Sequence, residues 1–290
     1  MTIAVSSAWR IIPRPQRDIL GEGLLWSARE NAVFWTDIIG RKVWRLSLAD
    51  DSICDWAMPE PIGWIIERAA GGFIAGLQTG IHHLSFSPLA LVRLVDPEPH
   101  LPLNRLNDAK ADAQGRIWAG TMPANCTGPS GALYRFDPDG TLTRHDSALT
   151  IANGPAISPD GTIFYHTDSA LGTVYRFDLR RDGSLGPRTE HLVFTAGDGA
   201  PDGMTCDAQG GLWIAFYGGS RIARFHPDGT HDRSIALPTP QITNIVFAGE
   251  NLDCMFVTSA GDGRRDDAFA GALFEVGSAA TGLLPHLFGG

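Results

Sequence analysis

The sequence predicts an all-β protein, a six-bladed β-propeller, and three observations carry that prediction. First, a turn followed by a short aromatic-rich run recurs as SARENAVFWTDI, AAGGFIAGLQT, DAQGRIWAGTM, SPDGTIFYHTD, DAQGGLWIAFY and AGENLDCMFVTSA. The copies lie roughly 40–50 residues apart, the period of propeller blades. Second, most copies are followed by another strand signal: RKVWRLSL, GIHHLSF, GALYRFDPDG, GTVYRFDL, SRIARFHPDG and GALFEV. Third, helical periodicity is nearly absent, while 34 glycines and 19 prolines imply many turns.

Taken in order, each copy reads as strand, hairpin, strand. In the fifth, Leu212–Phe216 follows a Gln-Gly-Gly turn and has the apolar, aromatic character of a buried strand. A ring of blades must close to protect its sheet edges, so the segment near Ala4–Ile12 is expected to complete the last blade. Pro123–Gly131 in the third blade and Asp262–Gly271 in the sixth read as polar loops. No composition shift divides the chain, and residues 1–290 are expected to form a single domain with a central metal site. A hydrophobic content of 43% is enough for a sizeable core.

The net charge of −9 argues against nucleic acid or an anionic membrane as partner and is compatible with a cation site. No apolar run has the length of a membrane span, and the N-terminal stretch lacks the pattern of a secretory signal, so a cytoplasmic location is expected. Cys54, Cys126, Cys206 and Cys254 are far apart with no CxxC spacing, and are expected to be buried free thiols.

Polar residues recur just ahead of each repeat. They are Glu22 in GEG, Arg105, Asn107 and Asp108 in RLND, Asn153 in ANG, Asp202 in PDGM, and Thr243 and Asn244 in ITN; the second copy has Trp64 in IGW. Any one of them alone would read as a turn residue. Their shared phase would bring them together around one axis. Two carboxylates in a narrow channel repel each other and lose hydration, and a divalent cation relieves both costs. All the donors are oxygens, which suits calcium, magnesium or manganese; zinc or iron could be held with waters completing the shell.

These blocks together resemble the SMP-30/gluconolactonase/regucalcin-like family, over nearly the whole chain from GEGLLW to GALFEV. The marks are LGEGLLWSARENAVFWTDI, RLNDAKADAQGRIWAGTM, IANGPAISPDGTIFYHTDS, PDGMTCDAQGGLWIAFYGG and ITNIVFAGENLDCMFVTSA. The resemblance implies one divalent metal in the channel, held by Glu22, Asn153 and Asp202, with Asn107 at the metal or on the substrate. It implies that Arg105 and Asn107 bind substrate and that the activity is hydrolysis of a sugar lactone to the aldonic acid. Some relatives carry Glu shortly after the GTM block; here the matching position is about Asn125, so the substrate contact is changed.

On this reading the metal polarises the carbonyl of a cyclic ester and a carboxylate accepts a proton from water, with Asp202 as the base and Asp108 in reserve. Trp64 is equally readable as an apolar wall under the sugar or as core packing. No GxSxG elbow or Cys/His pair is evident, which disfavours an acyl-enzyme. His82 and His83 read as strand positions, His166 as a core histidine with satisfied hydrogen bonds, and Asp139, Asp160 and Asp228 as hairpin turns. Hydrolysis of another ester or an organophosphate, or a non-catalytic metal-binding propeller, are the alternatives.

Overall fold

A computed structural model describes residues 9–264 and 266–290. Its strands form six four-stranded antiparallel sheets. The N-terminal strand β1 (Trp9–Ile11) belongs to the last blade in space. Blade one is β2 (Gly21–Ser27), β3 (Ala32–Asp37), β4 (Lys42–Ser47) and β5 (Ile53–Ala57). Blade two is β6 (Ile62–Glu67), β7 (Phe73–Leu77), β8 (Gly80–Phe86) and β9 (Leu89–Val95). Blade three is β10 (Asn104–Ala111), β11 (Ile117–Pro123), β12 (Gly131–Phe136) and β13 (Leu142–Leu149). Blade four is β14 (Ala152–Ile157), β15 (Ile163–Asp168), β16 (Thr173–Asp178) and β17 (Thr189–Val193). Blade five is β18 (Ala200–Cys206), β19 (Leu212–Tyr217), β20 (Arg221–Phe225) and β21 (His231–Ala236). Blade six is β22 (Ile242–Ala248), β23 (Cys254–Ser259) and β24 (Leu273–Gly277), completed by β1.

The closure therefore falls where the sequence places it: Trp9 pairs with Val276 and Ile11 with Phe274. Residues 4–8 of the expected closing segment lie outside the described residues. The repeated aromatic runs are the second strands of the blades, and the runs after them are the third strands. These middle strands have neighbours on both edges and a blade on each face, so nearly all their residues are buried. The outermost strands are half solvated, as in β9 and β21, and so lack the apolar run that marks a strand in sequence.

The core lies between blades rather than within one. Six clusters occupy the six blade-to-blade interfaces, for example Trp118, Leu133 and Phe164 between blades three and four, and Trp213, Ile245 and Phe274 between five and six. Buried ionic locks fix the hairpins beneath. Asp207 accepts from the indole of Trp213 at 2.9 Å and from Arg224 at 2.6 Å. Asp112 holds Trp118 at 2.9 Å and Arg116 at 2.6 Å in the same way. The two DAQG turns are thus the anchoring points of two homologous blades. No helix among the described residues is long and apolar enough to cross a membrane.

All four cysteines are free, but Cys54 and Cys126 are exposed and Cys254 is half-buried; only Cys206 is buried as expected. The first two sit on an outer strand and on the Pro123–Gly131 loop, where neither face is covered.

Candidate active site

The innermost strand of each blade carries a bulge. On β2, Glu22 pairs with Thr36 and Leu25 with Phe34, so three steps on one strand face two on its neighbour. The same irregularity falls after Leu106, Asn153, Pro201 and Ile242, and after Ile62 on blade two. A bulge leaves one residue unpaired and re-aims adjacent side chains. Here it turns polar residues towards the axis. Asp202 therefore does not precede a strand; it lies inside β18, at the bulge.

The bulges gather Glu22, Arg105, Asn107, Asp108, Asn153, Asp202 and Asn244, each at most 9% exposed. Two hydrogen-bonded groups result. In one, Asn244 Nδ2 bridges two carboxylates, donating to Glu22 Oε2 at 3.0 Å and Asp108 Oδ2 at 3.2 Å. In the other, Arg105 donates to Asn107 Oδ1 at 2.5 Å, Asn107 Nδ2 donates to Asn153 Oδ1 at 2.6 Å, and Asn153 Nδ2 donates to Ser169 Oγ at 2.9 Å. Ser169 in turn donates to the Pro201 carbonyl at 2.6 Å, tying blade four to the strand that holds Asp202.

Blade two is silent. Its bulge residue, Gly63, lies so close to β10 that a Cβ would come within 2.4 Å of the Asn107 carbonyl oxygen. Gly203 allows a similar approach on blade five, where a Cβ would sit 2.5 Å from Asn244 Nδ2.

Above this cluster opens a cavity of about 420 Å³, lined by Glu22, Arg105, Asn107, Asn125, Asn153 and Asp202, with Met122, Cys126, Ser169, Tyr217 and Asp262 among the other walls. Asp108 lies deeper. Its Oδ1 accepts from the Ala109 amide at 2.8 Å, and it is absent from the cavity wall. Of the two carboxylates considered as base, Asp202 is the one that faces the cavity. Lys110 follows on β10 and lines a second, smaller cavity at the other end of the channel.

Trp64 does not reach the site. It is 1% exposed and packs between blades two and three, its ring against the Cα of Gly76, where a Cβ would come within 2.2 Å. Of its two readings, core packing is the one the fold adopts, because the bulge on β6 turns this side chain into the interface. Asn125 is on the exposed rim, its Oδ1 accepting from the Thr127 amide at 3.1 Å. Sequence reasoning omitted Ser169, Tyr217, Cys126 and Asp262 from the site. Ser169 and Tyr217 each stand at the channel end of a second strand or just past it, a different phase of the repeat from the first-strand positions.

Burial dominates the electrostatics. It raises the pKa of Asp202 well above the carboxylate range, and the charges of Glu22 and Asp108 push in the same direction. Glu22 is likewise raised, by burial first and then by Asp108. Asp108 is raised by burial, against the pull of Lys110. The guanidinium of Arg105 is lowered by burial, which Cys126, Glu22 and Asp202 oppose. Asp202 Oδ1 is buried without any hydrogen-bond partner. An orphaned carboxylate oxygen beside a second carboxylate is costly unless a cation meets it. Glu22, Asp202 and the Asn153 carbonyl oxygen form an all-oxygen set that fits a hard divalent ion. Among the described residues no three His, Cys, Asp or Glu side chains converge on one point.

The other singled-out residues have structural roles. Asp168, which ends β15 beside His166, also has a structural role and accepts from the amides of Thr150, Ile151 and Ala170. His82 bonds the Gly80 carbonyl at 3.0 Å. Asp139, Asp160 and Asp228 each accept an amide two residues on, closing exposed turns. His166 departs from expectation: it is buried, yet both ring nitrogens lack a partner.

Comparison with known proteins adds a family pattern. The SMP-30/Gluconolactonase/LRE-like region matches residues 20–261. The chain is 34% identical to a 6-deoxy-6-sulfogluconolactonase of Pseudomonas putida, over 95% of this chain and 97% of the relative. It is 35% identical to an L-arabinolactonase of Azospirillum brasilense, over 94% and 93% respectively. Among solved structures, a calcium-binding protein, regucalcin, from Agrobacterium tumefaciens superposes with a TM-score of 0.92 at 27% identity, covering 97% of both chains.

Proposed function

The chain belongs to the SMP-30/gluconolactonase/LRE-like family, and from that premise we propose that it is a lactonase, opening a sugar lactone to the aldonic acid with the help of one divalent cation. Two relatives at about a third identity over nearly their full length bear lactonase names. The observation that carries the reading is the unpartnered Asp202 Oδ1, buried at the floor of a cavity that also presents Arg105 and Asn107. A metal store needs the carboxylates but has no use for a guanidinium poised beside them.

Glu22, Asn153 and Asp202 would hold the ion. When bound, it supplies Lewis acidity, drawing electron density from a carbonyl oxygen and stabilising negative charge there. The remaining work falls to side chains. Arg105, oriented by Asn107 and the Leu106 carbonyl, still has guanidinium donors to offer a polyhydroxylated ring. Asp202 accepts a proton from water as the water oxygen bonds to the ester carbon. The ring C–O bond then breaks, and the proton returns to the departing ring oxygen, so that one water is added overall. Asp108 sits beneath the cavity floor and holds Asn244 in place.

The test is hydrolysis of a panel of sugar lactones by protein stripped with a chelator and reloaded with calcium, magnesium, manganese, iron(II) or zinc, with Asp202→Ala alongside. Turnover is expected to require metal and to vanish in the variant. Uncatalysed rates throughout, with metal demonstrably bound, would favour a binding protein or a different ester substrate instead.

A further inference from the structure

The cavity wall also carries a hydroxyl whose proton is already committed. Tyr217 ends β19 on blade five and lines the cavity. Its oxygen lies 2.7 Å from the side-chain amide of Gln241. That amide also faces two backbone carbonyls, Asp262 O at 3.2 Å and Ala260 O at 3.1 Å. Carbonyl oxygens only accept, so the Gln241 nitrogen must point at them and its oxygen at Tyr217. Tyr217 then donates its one proton to Gln241 and shows only lone pairs to the cavity. The carboxylate of Asp262 stands on the same rim and also accepts. Arg105, on blade three, is the one cationic side chain among the described residues of the cavity wall. Leu20, Ile39, Ile151, Met122 and Ala200 supply the apolar part of the wall.

We propose that Tyr217, oriented by Gln241, is a specificity-determining acceptor, and that the lactone this protein favours carries a neutral exocyclic hydroxyl rather than an anionic arm. The inference rests on the lactonase reading and narrows its substrate class. A hydroxyl on the arm donates to Tyr217. A methyl in its place leaves the acceptor unpaired, and a carboxylate or sulfonate meets the tyrosine lone pairs and the charge of Asp262. The sulfonated sugar named for the Pseudomonas putida relative is thus a poor fit here.

The experiment compares kcat/KM for three lactones on one ring, bearing a hydroxymethyl, a methyl or a carboxylate arm, in wild type, Tyr217→Phe and Gln241→Leu. Wild type should prefer hydroxymethyl over methyl by about tenfold, the worth of one hydrogen bond, with the carboxylate last. In Tyr217→Phe that preference should fall towards unity. In Gln241→Leu the tyrosine proton is released, and discrimination against the carboxylate should shrink severalfold. The proposal is overturned if Tyr217→Phe slows both neutral substrates by the same factor, or if wild type prefers the carboxylate. If wild type opens none of the three, the lactonase reading fails separately. Competitive binding of the three matching aldonates then decides the role of Tyr217 by the same ratios.

Discussion

Replacing His166 with leucine should change the pH dependence of stability in a calculable way. The imidazole lies on β15, stacked at 10° to Phe164, with both nitrogens buried and unpartnered. Burial lowers its pKa from 6.5 to about 4; the charge of Asp146 opposes this and that of Arg188 adds to it. The unfolded chain therefore binds the proton more readily than the folded one between those two values. The folded state's advantage is complete above pH 6.5 and is lost as pH falls towards 4. Protonation equilibria with these two values give a loss of about 2 kcal/mol between pH 8 and pH 5, and about 3 kcal/mol when fully developed. For a chain of this length, 2 kcal/mol corresponds to about 3 °C in Tm. Leucine has a similar volume and no proton to take up, so His166→Leu should lack this component. The assay is thermal or denaturant unfolding of both proteins from pH 8 to pH 5, read as the difference between the two curves, so that carboxylate titrations common to both cancel. Parallel curves would refute the claim that His166 is held neutral in the fold.

The remaining predictions concern the site and its support. Gly203→Ala places a methyl where Asn244 Nδ2 now sits; the fold should persist by circular dichroism while divalent-metal affinity in calorimetric titration drops by about tenfold or more, and unchanged affinity would show that Asn244 does not organise Glu22. Cys126 is exposed on the cavity rim, so a bulky maleimide should inhibit turnover in wild type and spare Cys126→Ser, with the other exposed thiol, Cys54, as the control label far from the site. Asp207→Ala strips the buried Arg224 of its main partner and frees the Trp213 indole, and chemical denaturation should register a loss on the order of 3–5 kcal/mol; a loss below about 1 kcal/mol would mean that the lock is ornamental to stability.

The blade count and the closing strand were legible because middle strands are buried on every side and so write themselves as aromatic runs. The outer strands β9, β13 and β21 were not, since half their residues face water and no alternation survives. The site was partly legible for a related reason. Glu22, Asn107, Asn153 and Asp202 share a phase, and a repeat converts shared phase into proximity. Phase does not say which way a side chain turns, however. Trp64 shares it and points into the core, because the bulge of β6 and the bare Gly76 leave room there and nowhere else. Tyr217 and Ser169 reach the cavity from second strands or just beyond, through pairings a linear pattern does not record. Most buried polar groups have hydrogen-bond partners, but His166 has none; Gly120 and Phe164 lie against it instead.

Six equivalent strands around an axis would, by themselves, give a ligand no way to tell one side of the channel from another. Blade two breaks that equivalence. With Gly63 pressed against the backbone of blade three, one seat in the circle is left blank, while other seats supply a guanidinium and side-chain oxygens. The channel mouth acquires a compass bearing from a single missing side chain. A guest with unlike ends can then be held in one orientation about the axis, although the frame that holds it is nearly a rotation of itself.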